Sequence, residues 1–255
     1  HTGDHQLVED VIAVAGRAES RDDLRVAHPA LSLQSGSVMG QIIQTPIEAY
    51  LDGLHPMPEG MLAAIESDGR AQNLPLVQPA SARLLRSLVI ATGARRVLEI
   101  GTCIGYSAIW MAQALPAEGM LVTLEADADR AALARQNVER AGLANRISVI
   151  VGDASRYLHK IAGPFDLVFQ DSDKQRYESM LDRLVALMRV GGVLVTDNVL
   201  WNGEVVEGYV SPPQRDEADT TAIRRYNARL AADPRLLTTF LPVGDGVAMS
   251  VKLAT

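Results

Sequence analysis

The chain of 255 residues contains a single cysteine, Cys103. One thiol cannot form an internal disulfide, so cystine-stapled extracellular folds are excluded and a reducing compartment, the cytoplasm, is expected. No apolar run approaches the roughly 20 residues that cross a bilayer, and no membrane partner is expected. The opening HTGDHQ has no basic cluster, and VIAVAG (11–16) is too short for the apolar stretch of a leader. Basic excess is missing as well. The net charge is −7; residues 1–75 hold eleven acidic and four basic side chains, and the remaining 180 residues carry twenty of each sign. Nucleic acid is therefore a disfavoured partner. The G-x-G-x-x-G turn of dinucleotide sites is absent too.

What is present is an ordinary globular composition, with 47% apolar and 22% charged residues. There is no internal repeat and no low-complexity tract. Residues 1–45 read as an N-terminal helical arm or appendage: DHQLVEDVIAVAGRA has helical spacing, and SLQSGSVMGQ (32–41) reads as a linker. From Pro46 the pattern becomes regular. PEGMLAAIESDGR (58–70) and PASARLLRSLVIATG (79–93) are amphipathic helices, the second with Pro79 in its first turn and Gly93 past its end. RRVLEI, MLVTLEA, ISVIVGD, FDLVFQD and GGVLVTD are apolar strands separated by helical stretches such as ADRAALARQNVERAG (128–142). A further helix follows residue 215, and LLTTFLPV and GVAMSVKL pair across GDG (244–246) as a hairpin. The expected fold is α/β and Rossmann-like: a mostly parallel sheet, closed by an antiparallel C-terminal hairpin, with helices on both faces.

In such sheets ligands bind at the carboxyl ends of the strands, near the switch in strand order. The first strand ends in LEIGTCIGYS (98–107), where Gly101 and Gly105 permit a tight turn and a close ligand. The second ends in Glu125, 24 residues beyond Gly101, where a carboxylate can accept both hydroxyls of a ribose. The third ends in Gly-Asp-Ala, with Asp153 able to accept from an adenine amino group. Either acid has the simpler reading of a helix N-cap. Together with the turn they describe a nucleoside site without phosphate chemistry, which suits S-adenosylmethionine better than NAD. The fourth strand runs into FQDSDKQRYESM (169–180) and the fifth into Asp197–Asn198. Adjacent strand residues point to opposite faces, so Asp197 and Asn198 converge only if the chain leaves the strand between them. Joined by Asp171, they form an all-oxygen set suited to a hard cation, Mg²⁺ first, with Ca²⁺ or Mn²⁺ as alternatives. Helix caps and a turn are the plainer reading of the same three residues.

EIGTCIGYS, the acid of the second strand, GDA, DSDK and DNVLWNG, in that order, resemble the metal-dependent class I S-adenosylmethionine O-methyltransferases of the caffeoyl-CoA and catechol O-methyltransferase family, bacterial branch. The resemblance spans about four fifths of the chain, from Pro46 to LPVGDGVAMSVK, and implies a seven-stranded sheet and a methyltransferase domain over residues 46–255. It implies Asp171, Asp197 and Asn198 as metal ligands, and Glu99, Gly101, Thr102 and Ser107 around the methionine end of the cofactor. By the same resemblance Glu125 holds the ribose, and Asp153 and Ala154 flank adenine. Lys174 is the base, with Asp171 beside it, and Asn202 touches substrate. Where relatives carry polar residues before the first strand, this chain reads QPASA (78–82), which leaves a backbone contact near Val77. Trp201 is either a wall for an aromatic substrate or packing beneath its own loop. Cys103 reads as a buried small hydrophobe. A homodimer is the family expectation.

The reading these residues favour is methylation of one hydroxyl of a small catechol-like aromatic diol. A hydroxylated tRNA nucleoside is the alternative acceptor within the same family, and the acidic N-terminal third counts against it. A nicotinamide-dependent oxidoreductase or a non-catalytic nucleotide-binding module is the reading from another class, disfavoured by the missing glycine fingerprint.

Overall fold

The computed structural model describes residues 45–55, 58–209 and 215–254. The arm assigned to residues 1–45 lies outside the described residues, apart from Thr45. Helices α1 (Thr45–Leu54), α2 (Gly60–Ala71) and α3 (Pro79–Ala91) lead into β1 (Arg96–Ile100). Then come α4 (Tyr106–Ala112), β2 (Met120–Glu125), α5 (Ala128–Arg140), β3 (Ile147–Val151) and the short α6 (Ala154–Tyr157). The chain continues through β4 (Phe165–Gln170), α7 (Tyr177–Leu187), β5 (Met188–Asp197), α8 (Glu217–Ala232), β6 (Leu236–Leu241) and β7 (Val247–Lys252).

The seven strands form one sheet in the order β3-β2-β1-β4-β5-β7-β6. β1 to β5 run parallel, and β7 is antiparallel to both β5 and β6. This is the expected mixed sheet with its C-terminal hairpin. Alternation along the strands divides two apolar layers. Val97, Leu167, Phe169, Val193 and Val195 face Leu85, Val89, Ile109 and Val138 of α3, α4 and α5. Leu98, Ile100, Val168 and Leu194 face Leu181, Leu184, Tyr226 and Leu230 of α7 and α8. Both faces being covered explains why the strands read as continuous apolar runs rather than as alternating ones.

Helix α3 starts at Pro79 and is closed by Gly93 at φ 60°, as its sequence predicts. Helix α4 has no polar stripe: all seven of its residues are buried, so periodicity could not mark it. β5 begins three residues earlier than GGVLVTD suggests, and its pairing with β4 shifts register between Phe165 and Leu167.

Strand order reverses between β1 and β4, and there the backbone is tightest. Asp171 N–H donates to the Ile100 carbonyl at 2.9 Å, and Gly101 has φ 98°. A Cβ on Gly101 would lie 1.9 Å from the Asp171 carbonyl oxygen, inside any permissible contact. Gly93, also left-handed, has nothing within 4 Å of the corresponding position. Gly93→Ala is therefore expected to cost about 1–2 kcal/mol from backbone conformation alone. Gly101→Ala adds displacement of backbone and should exceed about 3 kcal/mol. Thermal unfolding of the two variants side by side checks the difference; equal losses would contradict the packing argument.

Candidate active site

A cavity of about 470 Å³ opens at the carboxyl ends of β1, β2, β3 and β4. Val77, Gly101, Thr102, Ser107 and Glu125 line one part of it, with Asp153 and Ala154 beside them. Asp171, Lys174 and Trp201 line the other part. Glu99, Asp197, Asn198 and Asn202 are not in its wall. Glu99, expected around the methionine end of the cofactor, lies behind this wall rather than in it.

Glu99 is wholly buried inside β1. It accepts from the Ser107 hydroxyl at 2.6 Å and from the Thr123 hydroxyl at 2.6 Å, and Thr123 is hydrogen-bonded to Thr102. Burial pushes its carboxyl from an ordinary 4.5 up to about 8, and the two hydroxyl hydrogen bonds only partly offset this. Glu99 thus reaches the cavity through Ser107 and the Thr123–Thr102 pair.

Glu125 is not a helix cap. Asp127 caps α5, accepting from the N–H groups of Asp129 and Arg130 at 2.9 Å each. Glu125 takes the Cys103 N–H on one oxygen at 2.7 Å and the Asp127 N–H on the other at 3.0 Å. The second lone pairs of both oxygens stay available to a pair of hydroxyls. Asp153 does cap a helix, accepting from the Ser155 N–H at 2.9 Å. Its other oxygen is paired with Arg176, and the Ser155 hydroxyl and this guanidinium hold its carboxyl below the usual carboxylate range. Cys103 departs from the buried residue expected: it is half-buried, at φ 49°, and lines the cavity. Burial pushes its thiol up to about 11, so it stays protonated and a poor nucleophile.

The second part of the cavity, with the residues behind it, is built by the ends of β4 and β5. Lys174 donates to Asp171 at 2.8 Å and to the Tyr177 hydroxyl at 2.9 Å, and its ammonium lies 5.9 Å from the Trp201 ring centre. Asp173, not Asp171, caps the turn that follows. β5 ends at Asp197, and Asn198 immediately turns to φ 62°, which is the departure from the strand that convergence requires. Asp197 is buried and its carboxyl is pushed up to about 8, first by desolvation and then by the charge of Asp171. The Asn198 N–H donates to it at 2.8 Å.

Among the described residues no group of three His, Cys, Asp or Glu side chains is arranged to hold a metal. The donor set here is two carboxylates and an amide. The two carboxylates are in electrostatic contact and share a single counter-charge, the Lys174 ammonium on Asp171, while Asp197 is fully desolvated; an all-oxygen set with one net negative charge left over is of the chemical type that accepts a hard cation. A buried, unpartnered Ser172 hydroxyl in the cavity wall is a further polar group without a protein partner.

Four contributors escaped the sequence reading. Tyr177 holds Lys174 and donates to the Asp197 carbonyl at 3.3 Å; its signal was the spacing of three residues from Lys174. Arg176, two residues beyond Lys174, bridges Asp153 and Asp173. Arg215 covers the Trp201 ring at 4.1 Å, and Asp245 accepts the Asn202 N–H from 43 residues away. Contacts of that separation leave no local pattern.

Comparison with known proteins adds the following. A family model described as O-methyltransferase matches residues 64–253. Catechol O-methyltransferase of Niastella koreensis is 34% identical over 224 residues, covering 84% of this chain and 99% of that protein. Caffeoyl-CoA O-methyltransferase 1 of Arabidopsis thaliana is 32% identical over 244 residues, covering 90% of this chain and 89% of the relative. The O-methyltransferase from Bacillus cereus, solved in complex with SAH, superposes with a TM-score of 0.72 at 35% identity, covering 82% of this chain and 97% of that one.

The raised Glu99 carboxyl has a signed consequence. Its folded value lies above its unfolded one, so its contribution to stability is full below about pH 4.5 and is lost as pH rises through about 8. Glu99→Gln should flatten the fall in unfolding free energy between pH 5 and pH 8.5, by about 1.4 kcal/mol per pH unit at most. Asp197, shifted in the same sense, retains the rest of the slope. Ligand-free thermal unfolding across that range is the measurement, and parallel curves for the two proteins would rule the account out.

Proposed function

The chain belongs to the O-methyltransferase family and is an S-adenosylmethionine-dependent O-methyltransferase, and from that premise we propose that it methylates one hydroxyl of a small catechol-like aromatic diol held on Mg²⁺, with Ca²⁺ or Mn²⁺ as alternatives. The observation that supports this reading is that Asp171 and Asp197, at the ends of the neighbouring strands β4 and β5, are in electrostatic contact, with Lys174 paired to Asp171 and Asn198 next in the chain after Asp197. We assign the methyltransferase domain to residues 46–255, with residues 1–45 as an appendage. The proposal includes a homodimer, by resemblance, in the cytoplasm, by cysteine usage.

The cofactor reading is supported by residues already hydrogen-bonded into position. Glu125 presents two fixed oxygens to the ribose. Gly101, Thr102 and Ser107 take the methionine end, with Glu99 steadying Ser107 and the backbone near Val77 closing that side. Ala154 and Asp153 border adenine. A divalent cation on the three oxygen donors would lower the pKa of a bound hydroxyl toward neutrality.

The chain's own residues do the remainder. Lys174, steadied by Asp171 and Tyr177, is the group to receive the hydroxyl proton, and it can do so only when it reaches the substrate without its own extra proton. Trp201 walls the aromatic ring, and its buried indole N–H has no protein acceptor. Asn202, proposed by resemblance to touch substrate, is buried beside Trp201 in the chain and fixed through its backbone N–H to Asp245. Holding the acceptor oxygen in line with the donor methyl supplies much of the rate.

Methyl transfer to a panel of free catechols and caffeoyl esters, with and without EDTA, tests the proposal. EDTA and Asp197→Ala should each lower transfer by at least about 100-fold, while calorimetric affinity for S-adenosylhomocysteine stays within about fivefold. Lys174→Met should lower kcat by at least about 100-fold at unchanged cofactor affinity. Full activity in EDTA would sink the cation reading, and transfer to tRNA in place of every catechol would sink the substrate reading.

A further inference from the structure

The loop after β5 is strained. Asn198, Trp201 and Asn202 have φ of 62°, 45° and 62°, so three non-glycine residues within five positions are left-handed. Each costs about 1–2 kcal/mol relative to an ordinary conformation, and such a segment persists only where its surroundings over-determine it. The surroundings here are the β6–β7 hairpin turn. Val199 N–H donates to the Gly246 carbonyl at 3.0 Å, and Leu200 N–H to the Asp245 carbonyl at 3.1 Å. The Asn202 N–H donates to one oxygen of the Asp245 side chain. Gly246 permits the approach, since a Cβ there would lie 2.6 Å from the Leu200 nitrogen.

The Asp245 carboxylate is buried, and its side-chain partners all come from the acceptor half or its cover. Its second oxygen accepts from the Arg215 guanidinium at 3.0 Å, and that guanidinium lies 4.1 Å from the centre of the Trp201 ring. One side chain thereby fixes both the backbone at Asn202 and the guanidinium that covers Trp201.

We propose that Asp245 is the positioning residue of the acceptor half, and that its pairing with Arg215 across Trp201 governs affinity for the methyl acceptor. The inference rests on the reading of residues 197–202 as the acceptor and cation site. A hairpin staple without that role would need the backbone contacts alone.

The test uses the full chain with Asp245→Asn, Arg215→Met and the double variant. Asparagine can still accept from the Asn202 N–H but cannot satisfy the guanidinium, so the fold has a conservative route. Amide exchange of the 198–204 segment, read by mass spectrometry, should rise at least about tenfold in Asp245→Asn, with the 97–112 segment unchanged. For a catechol acceptor KM should rise about tenfold in either single variant while kcat stays within about threefold. The double variant should be no worse than Asp245→Asn alone, because the two residues act as one unit. The Kd for S-adenosylhomocysteine should stay within about twofold. Unchanged exchange at 198–204, a parallel rise of KM and cofactor Kd, or multiplicative losses in the double variant would each overturn the proposal. If the wild-type chain methylates no catechol, the substrate reading fails, and the exchange and cofactor measurements still decide the role of Asp245.

Discussion

The contact between the ends of β1 and β4 is the constraint on which the site depends. Asp171 N–H pairs with the Ile100 carbonyl while the Asp171 carbonyl occupies the space a Cβ of Gly101 would need. This joins the glycine turn after β1 to the strand end that carries Asp171 and leads to Lys174. Neither half can drift without the other, because the link is backbone to backbone. Strand order reverses at this place, so no crossover helix covers the gap and the cavity opens there. A methyl donor and an acceptor have to meet at fixed distance and angle. The sheet supplies that geometry through a single glycine.

The same region concentrates groups that oppose folding. Glu99 and Asp197 are carboxylates in fully desolvated positions, both shifted strongly toward the protonated form. Three left-handed non-glycine residues follow Asp197. A sequence selected for stability alone would put apolar residues at the first two positions and glycines at the others. The cost is met by the two apolar layers, which bury Leu98, Ile100, Val168 and Leu194 completely and hold the strand ends rigid. The paired hydroxyls of Ser107 and Thr123 show how the burden is moderated: they satisfy Glu99 without cancelling its desolvation.

Legibility in the sequence follows the range of the interaction. The strands and the longer helices were readable because apolar periodicity is local and both sheet faces are covered. Pro79 and Gly93 marked the ends of α3 because capping is decided within a few residues. Asp171 and Asp197 could be placed near one another because parallel strands bring their carboxyl ends together whatever the intervening sequence. α4 escaped because a helix buried on every side has no stripe. That Glu99 meets the cavity through the Ser107 and Thr123 hydroxyls is not legible two positions before Gly101, because it depends on the rotation of the strand. Asp245 read as turn chemistry, since an aspartate between two glycines is favoured in any tight turn. What made it more than that, three partners on a distant loop, exists only in three dimensions.

Asp153 shows where the two readings of a residue cease to compete. The sequence permitted an adenine contact or a helix cap, and the carboxylate is a cap whose second oxygen is taken by Arg176. With one oxygen on Ser155 and the other on a guanidinium, an adenine amino group finds a crowded acceptor. The Arg176 pair is, however, largely exposed, with side chains 48% and 31% accessible. Ion pairs in that setting contribute about 0–1 kcal/mol, so Asp153 holds the guanidinium weakly, and Arg176 has Asp173 as a second partner. The cap, made through the Ser155 N–H, does not depend on that pair. Under the proposed function, the oxygen now on Arg176 is the one that would be offered to adenine, while the other stays with the cap.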